Sequence, residues 1–152
     1  MNPVNQYATR DRLMEDDARR RQGAFFTPTL WVDDAHKMVS EVLGPHWRDE
    51  CVVWDCAAGT GNLTRDYQFK DLILSTVEKA DVEVIRSQGY NPGAKLFTYD
   101  FLNDDASPFF VEKNVIPDAV DTMLRASAKA GKRLVFFINP PYGTAGIQSA
   151  ES

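Results

Sequence analysis

An alternation along the chain constrains its fold more than any other feature. Four short runs rich in β-branched, aromatic and aliphatic residues occupy 51–54, 72–77, 95–99 and 133–138. Between them, 79–87 places Ala80, Val84 and Ile85 at helical spacing ahead of Gly89, and Pro117 opens a segment with Ala119, Val120, Met123 and Leu124 on one face. Strands alternating with helices predict an α/β protein with a mainly parallel sheet and helices on both faces. Such sheets bind ligands just beyond the carboxyl ends of their strands. Each run here delivers a polar residue to that edge: Asp55, Glu78, Asp100 and Asn139.

The segment ahead of the first run has a different texture. Residues 5–22 are strongly charged, with Leu13 and Met14 as their few apolar anchors, and read as an exposed helix. A short apolar loop follows over 23–28. Thr27 then offers a hydroxyl cap and Pro28 a first-turn residue for a helix. Trp31, Ala35, Met38, Val39 and Val42 form its expected inward stripe, and Gly44-Pro45 its end.

Composition limits the classes that remain. At 152 residues the chain has room for one domain with a real core. No apolar run approaches the roughly 20 residues of a membrane helix, and the polar, charged start is unlike a secretory signal, so a cytoplasmic protein with no membrane partner is expected. Cys51 and Cys56, both beside apolar residues, are expected as reduced, buried thiols. No metal site is expected, because His36 and His46 do not cluster with the cysteines at ligand spacing; both are expected on helix surfaces. The net charge is −5. A protein that grips phosphates alone usually carries a basic excess, so any grip on nucleic acid must come from a larger assembly or a local patch. Arg19-Arg20-Arg21 is the obvious cluster and reads as a solvated helix end.

Asp55, Ala57, Gly59 and Gly61 lie in a glycine turn at the end of the first run, read as leading from strand to helix. The two glycines permit a sharp turn and close approach of a ligand; a plain tight turn would use them equally well. The dinucleotide fingerprint G-x-G-x-x-G is incomplete, since only its G-x-G part is present here. An acid before the turn repels a pyrophosphate and suits a cationic ligand. Glu78 lies 78 − 55 = 23 residues later, near the spacing at which an acid at the next strand end holds ribose hydroxyls. Asp100 could accept from an adenine amino group, with Phe101 packed on the base. Together these outline a nucleoside with a positively charged tail, which S-adenosylmethionine fits better than NAD.

Asn139, Pro140, Pro141 and Tyr142 form the most specific motif. The prolines fix φ and remove N–H donors, leaving carbonyls as acceptors. An Asn139 side-chain oxygen and a Pro140 carbonyl could take the two hydrogens of an exocyclic amino group, drawing the nitrogen toward tetrahedral geometry and freeing its lone pair. Tyr142 could stack on the base. Catalysis of this kind rests on positioning and electrostatics, without a strong general base.

These residues resemble amino-group methyltransferases, and most closely the S-adenosylmethionine-dependent DNA adenine-N6 methyltransferases. Residues 55–61 look like that family's glycine motif and 139–142 like its catalytic tetrapeptide. Residues 23–28 resemble the loop that precedes the catalytic domain in the subgroup whose cofactor loop comes first. The resemblance implies a Rossmann-like methyltransferase sheet, a closing role over the methionine end of the cofactor for Phe26, Thr27 and Pro28, ribose binding by Glu78 and adenine binding by Asp100. It also implies transfer to adenine N6 in DNA, of the restriction-modification or phage-defence type, on a base flipped from the duplex.

The likeness covers about 23–143, which gives a charged helical segment over 1–22, a partial methyltransferase domain over 23–143 and a tail over 144–152. The family's sheet continues for three more strands and a target-recognition region. The chain is therefore expected to be an N-terminal fragment or a degenerate remnant, weak or inactive alone, reaching DNA mainly through a missing C-terminal part. Its fourth strand is expected as an uncovered edge open to a partner subunit or to self-association. Methylation of a protein glutamine or of RNA, and cofactor binding without catalysis, stand as alternatives.

Overall fold

Parallel strand pairing organises the chain as the alternation predicts. The computed structural model describes residues 27–102 and 114–140. Within them, helix α1 (Thr29–Leu43) and the short α2 (Trp47–Glu50) precede strand β1 (Val52–Asp55). Strand β2 (Asp71–Thr76), helix α3 (Lys79–Gln88), strand β3 (Lys95–Thr98), helix α4 (Asp118–Lys129) and strand β4 (Leu134–Phe136) follow. Thr27–Asn139 form one compact unit, and Pro140 belongs to a second whose other residues lie outside the described ones. The expected helix over 5–22, the loop residue Phe26 and the tail over 144–152 also fall outside them.

The sheet order is β3-β2-β1-β4, with every pairing parallel. Successive strands build outward from β1 through β2 to β3, then the chain crosses to β4 on the other side of β1. That reversal places a topological switch point between β1 and β4, the place where open α/β sheets form their ligand crevice.

Each face of the sheet carries its own core. Val53, Leu72 and Leu74 point to one side, where Val32 of α1, Trp47 of α2, Ile85 of α3 and Phe137 close over them. Val52, Trp54 and Ile73 point to the other, beneath Val120, Met123 and Leu124 of α4. Strand residues alternate sides, and β1 and β2 can be apolar throughout because both sides are covered.

Several expectations about helix faces are corrected. The buried residues of α1 are Val32 and His36, with Ala35, Val39 and Leu43 half-buried beside them, whereas Trp31, Met38 and Val42 reach solvent, Val42 at 81%. Two apolar stripes overlap on this helix, and a count of hydrophobic residues cannot separate them. The buried hydrogen bonds of His36, given below, decide the rotation. In α3 the inward residues are Val82 and Ile85, and Ala80 is exposed. In α4 Val120 is buried and Met123 and Leu124 pack beside it, while Ala119 is exposed. Gly89 closes α3 in the left-handed conformation, φ 68°, as the sequence predicts.

Thr27 does not cap α1. Pro28 holds the cap position, its carbonyl accepting from Trp31 and Val32 N–H at 3.0 and 3.2 Å. The proline ring fixes φ and leaves the Thr27 hydroxyl to another partner. Cys51 and Cys56 are buried and free, as expected. Among the described residues no helix is long and apolar enough to cross a membrane, and no group of His, Cys, Asp or Glu is arranged to hold a metal ion.

Candidate functional site

The four polar residues expected at the carboxyl edge are all described there, each in its own chemical setting. Asp55 is the last residue of β1 and only 1% exposed. Its Oδ1 accepts from the Ala57 N–H at 3.2 Å, which bends the backbone into the glycine turn. Burial pushes its carboxyl up to about 7, against the smaller opposing effect of the Ala57 bond. Glu78 sits at the N-cap position of α3, half-buried and without a side-chain cap bond.

The glycine turn is built by its neighbours. Gly59 and Gly61 have φ of 52° and 85°. Space is open around a Cβ built on Gly59, so backbone is accessible there to a ligand. A Cβ on Gly61 would collide with the Tyr90 hydroxyl. The first glycine thus leaves an opening, and the second admits a packed phenol.

No helix follows this turn, contrary to the strand-to-helix expectation. Residues 61–67 run as successive turns, with Arg65 N–H to the Gly61 carbonyl at 2.9 Å and Tyr67 N–H to the Thr64 carbonyl at 3.2 Å. Carbonyls that a helix would satisfy are taken by side chains instead. Asn91, at φ 42°, donates its amide to the carbonyls of Thr64 and Tyr67 at 3.2 and 2.8 Å, and accepts from Phe69 N–H at 3.1 Å. His36 takes the Leu63 carbonyl at 2.8 Å. These clamps compete with helix formation and hold the segment as a shaped loop.

His36 corrects its assignment to a helix surface: it is buried, stacked on Tyr67 at 3.5 Å between ring centroids and edge-on to Phe137 at 4.8 Å. His46 is exposed, as expected.

Asp100 is buried, and Asn114 brackets its backbone, accepting from its N–H at 2.8 Å and donating to its carbonyl at 2.9 Å. One carboxylate oxygen accepts from Leu102 N–H at 3.1 Å. Phe101 is 41% exposed and packs edge-on against Trp54 at 5.8 Å, with Phe136 at 5.7 Å. This leaves an aromatic surface next to the Asp100 turn.

Asn139 follows β4, two residues beyond Phe137, whose N–H bonds the Trp54 carbonyl at 3.0 Å. The residue after Trp54 is Asp55, so Asp55 and Asn139 occupy the same edge on adjoining strands, at the switch point. The Asn139 amide nitrogen donates to the Thr27 hydroxyl at 2.7 Å, joining positions 112 residues apart. One bond therefore unites a residue of the expected catalytic motif with a residue of the expected cofactor-closing loop. Pro28 and Pro140 are exposed, and Ala57 is half-buried. Pro141 and Tyr142 lie outside the described residues.

Three contributors escaped the sequence reading. Asn62 carries a buried side-chain oxygen with no hydrogen-bond partner. A buried acceptor left unsatisfied is costly. Its place directly after Gly61 was the available signal. Tyr90 and Asn91 act from beyond α3, and nothing in local patterning marks them.

The edge thus combines an accessible glycine backbone, an orphan acceptor, carboxylates and an aromatic surface. That set suits a ligand with hydroxyl and cationic donors more than a pyrophosphate, which needs unopposed N–H groups. No protein-family model matches this chain, and neither the curated proteins nor the solved structures contain a significant match to it.

Proposed function

We propose that the chain carries the cofactor-binding and amino-group-activating edge of an S-adenosylmethionine-dependent, Rossmann-like methyltransferase that acts on adenine N6 in DNA. The 2.7 Å bond between Asn139 and Thr27 is the observation that carries the reading, because it draws two motifs of the resemblance to one edge.

The residues fit the cofactor. Glu78 is the acceptor for the ribose hydroxyls. The carboxyl of Asp55 at the end of β1 is the acceptor for the cationic tail, and the open space around Gly59 permits close approach. Asp100 and Phe101 receive the adenine. When bound, S-adenosylmethionine supplies an electrophilic methyl group on a sulfonium centre. Thr27 holds the nitrogen of the Asn139 amide, which orients the amide's oxygen as an acceptor for a substrate N–H. In the resemblance the Pro140 carbonyl takes the second hydrogen, Tyr142 stacks on the base, and Pro141 stiffens the loop.

The net charge of −5 favours a second reading, in which the amino nitrogen belongs to a protein glutamine and no phosphates need gripping. Incubation with methyl-labelled S-adenosylmethionine and separate pools of adenine-containing DNA, RNA and glutamine peptides tests both. Label on adenine N6 of DNA, weak in the isolated chain and lost in Asn139→Ala with cofactor affinity held within about threefold, is the expected result. Label on glutamine alone would replace the first reading with the second. Transfer surviving in Asn139→Ala would end both.

A further inference from the structure

His36 is a buried titratable group that the proposed chemistry does not use, yet it touches both the segment after the glycine turn and the strand end that leads to Asn139. It stands on α1, and Thr27 lies two residues before the first residue of that helix. Its Nε2 meets the Leu63 carbonyl at 2.8 Å, two residues beyond Gly61. Its ring edge meets Phe137, two residues before Asn139. Its Nδ1 meets the Arg48 guanidinium of α2 at 3.2 Å.

These partners dictate a protonation state. A carbonyl only accepts, so Nε2 carries the hydrogen; a guanidinium only donates, so Nδ1 is the acceptor. The imidazole in this arrangement is neutral. A second proton on Nδ1 would break the Arg48 bond and set a cation against a cation in a buried aromatic setting. The charged and titratable groups around the ring are Arg48 from α2, Asp33 from α1 itself, and Tyr67 stacked on it from the turn segment. The Tyr67 hydroxyl donates to Asp33 at 2.6 Å, and Arg48 lies 5.0 Å from the centroid of the Tyr67 ring. Asp33 alone among them favours a charged imidazole, and its carboxylate is already engaged by Tyr67. Burial, followed by Arg48, holds His36 below the ordinary imidazole range, against the Leu63 bond and Asp33.

We infer that His36 is a positioning residue whose neutral imidazole latches the glycine turn to α1 and the Asn139 strand end, and that acid releases the latch. The inference rests on the proposed cofactor site only in the last of its three readouts.

NMR of the full chain between pH 4.5 and 8 supplies the first two. The His36 ring is followed through its Cε1–H, and the Thr64, Arg65 and Tyr67 amides by hydrogen exchange corrected for intrinsic rate. Amide protection falls at least tenfold with the same midpoint as His36 protonation. Arg48→Met removes the opposing cation and raises both midpoints together by half a pH unit or more. His36→Gln, which keeps an N–H donor for Leu63 and cannot take a proton, makes protection independent of pH over this range. The third readout is S-adenosylmethionine affinity, which follows the His36 midpoint in wild type and shifts with it in Arg48→Met. Protection that stays constant while His36 titrates, or a midpoint unmoved by Arg48→Met, overturns the latch. If S-adenosylmethionine fails to bind at any pH, the cofactor reading falls, and the amide readouts still decide the latch.

Discussion

The two flanks of the switch point are built differently. On the β1 side the glycine turn is pinned from three directions: by Tyr90 against Gly61, by Asn91 on the Thr64 and Tyr67 carbonyls, and by His36 on the Leu63 carbonyl. On the β4 side the strand pairs only with β1 among the described residues, and Leu134, Phe136 and Ile138 are exposed on one face. The contrast teaches that a loop without regular structure can be more tightly specified than a strand. Its backbone groups are satisfied one at a time by side chains from distant elements, whereas among the described residues no strand pairs with the outer edge of β4, and Leu134, Phe136 and Ile138 on one of its faces are exposed.

The largest test of that contrast concerns Asp55. Burial holds its carboxyl at about 7 in the folded protein, above the ordinary 3.8. Below pH 4 the carboxyl is protonated in both folded and unfolded states and contributes no penalty. As pH rises through this window the unfolded state loses its proton first, so stability falls until the folded group ionises near pH 7. About three pH units at 1.36 kcal/mol each give a loss on the order of 4 kcal/mol. Asp55→Asn removes this loss, and urea denaturation at pH 3 and pH 8 reads it as the change in the difference between the two proteins.

Gly61→Ala is next. A left-handed φ costs an alanine about 1 kcal/mol and the overlap with Tyr90 adds 1–3, for a total of about 3 kcal/mol. Gly59→Ala meets only the backbone penalty, about 1 kcal/mol, because its surroundings are open. Thermal unfolding of the pair separates a turn braced by a neighbour from one left open, and equal losses would erase the distinction. At the edge, Phe136→Thr lowers stability by only about 0.5–1 kcal/mol, since half of the ring already faces solvent. A loss above about 2 kcal/mol there would mean that the edge is as well supported as the turn.

Much of the scaffold was legible in the sequence because its determinants are local. The runs ending near Asp55, Glu78 and Asp100 announced β1, β2 and β3 through β-branched residues, and Gly89 announced the end of α3 through its backbone freedom. The rotation of α1 was not legible. Trp31, Met38 and Val42 are more apolar than His36, yet His36 is the residue buried, because its two ring nitrogens find partners in Leu63 and Arg48. A polar residue enters a core when distant atoms satisfy it, and periodicity carries no information about distant atoms. The loop after Gly61 escaped for the same reason: glycine spacing suggested a helix start, and Asn91 and His36 hold another conformation from afar. Of the candidate site, Asp55, Glu78, Asp100 and Asn139 were found as strand-end residues, while Asn62 needed the structure to reveal its unsatisfied oxygen.

The central claim is that the carboxyl edge beside the switch point selects a nucleoside with a cationic tail over a dinucleotide. Calorimetric titration of S-adenosylmethionine and of NAD into the chain at pH 7.5, repeated with Glu78→Ala, tests it most directly. Saturable binding of S-adenosylmethionine, weakened about tenfold or more in Glu78→Ala and absent for NAD, is the result the account predicts. Equal or tighter binding of NAD, or affinity for S-adenosylmethionine that is indifferent to Glu78, would contradict it.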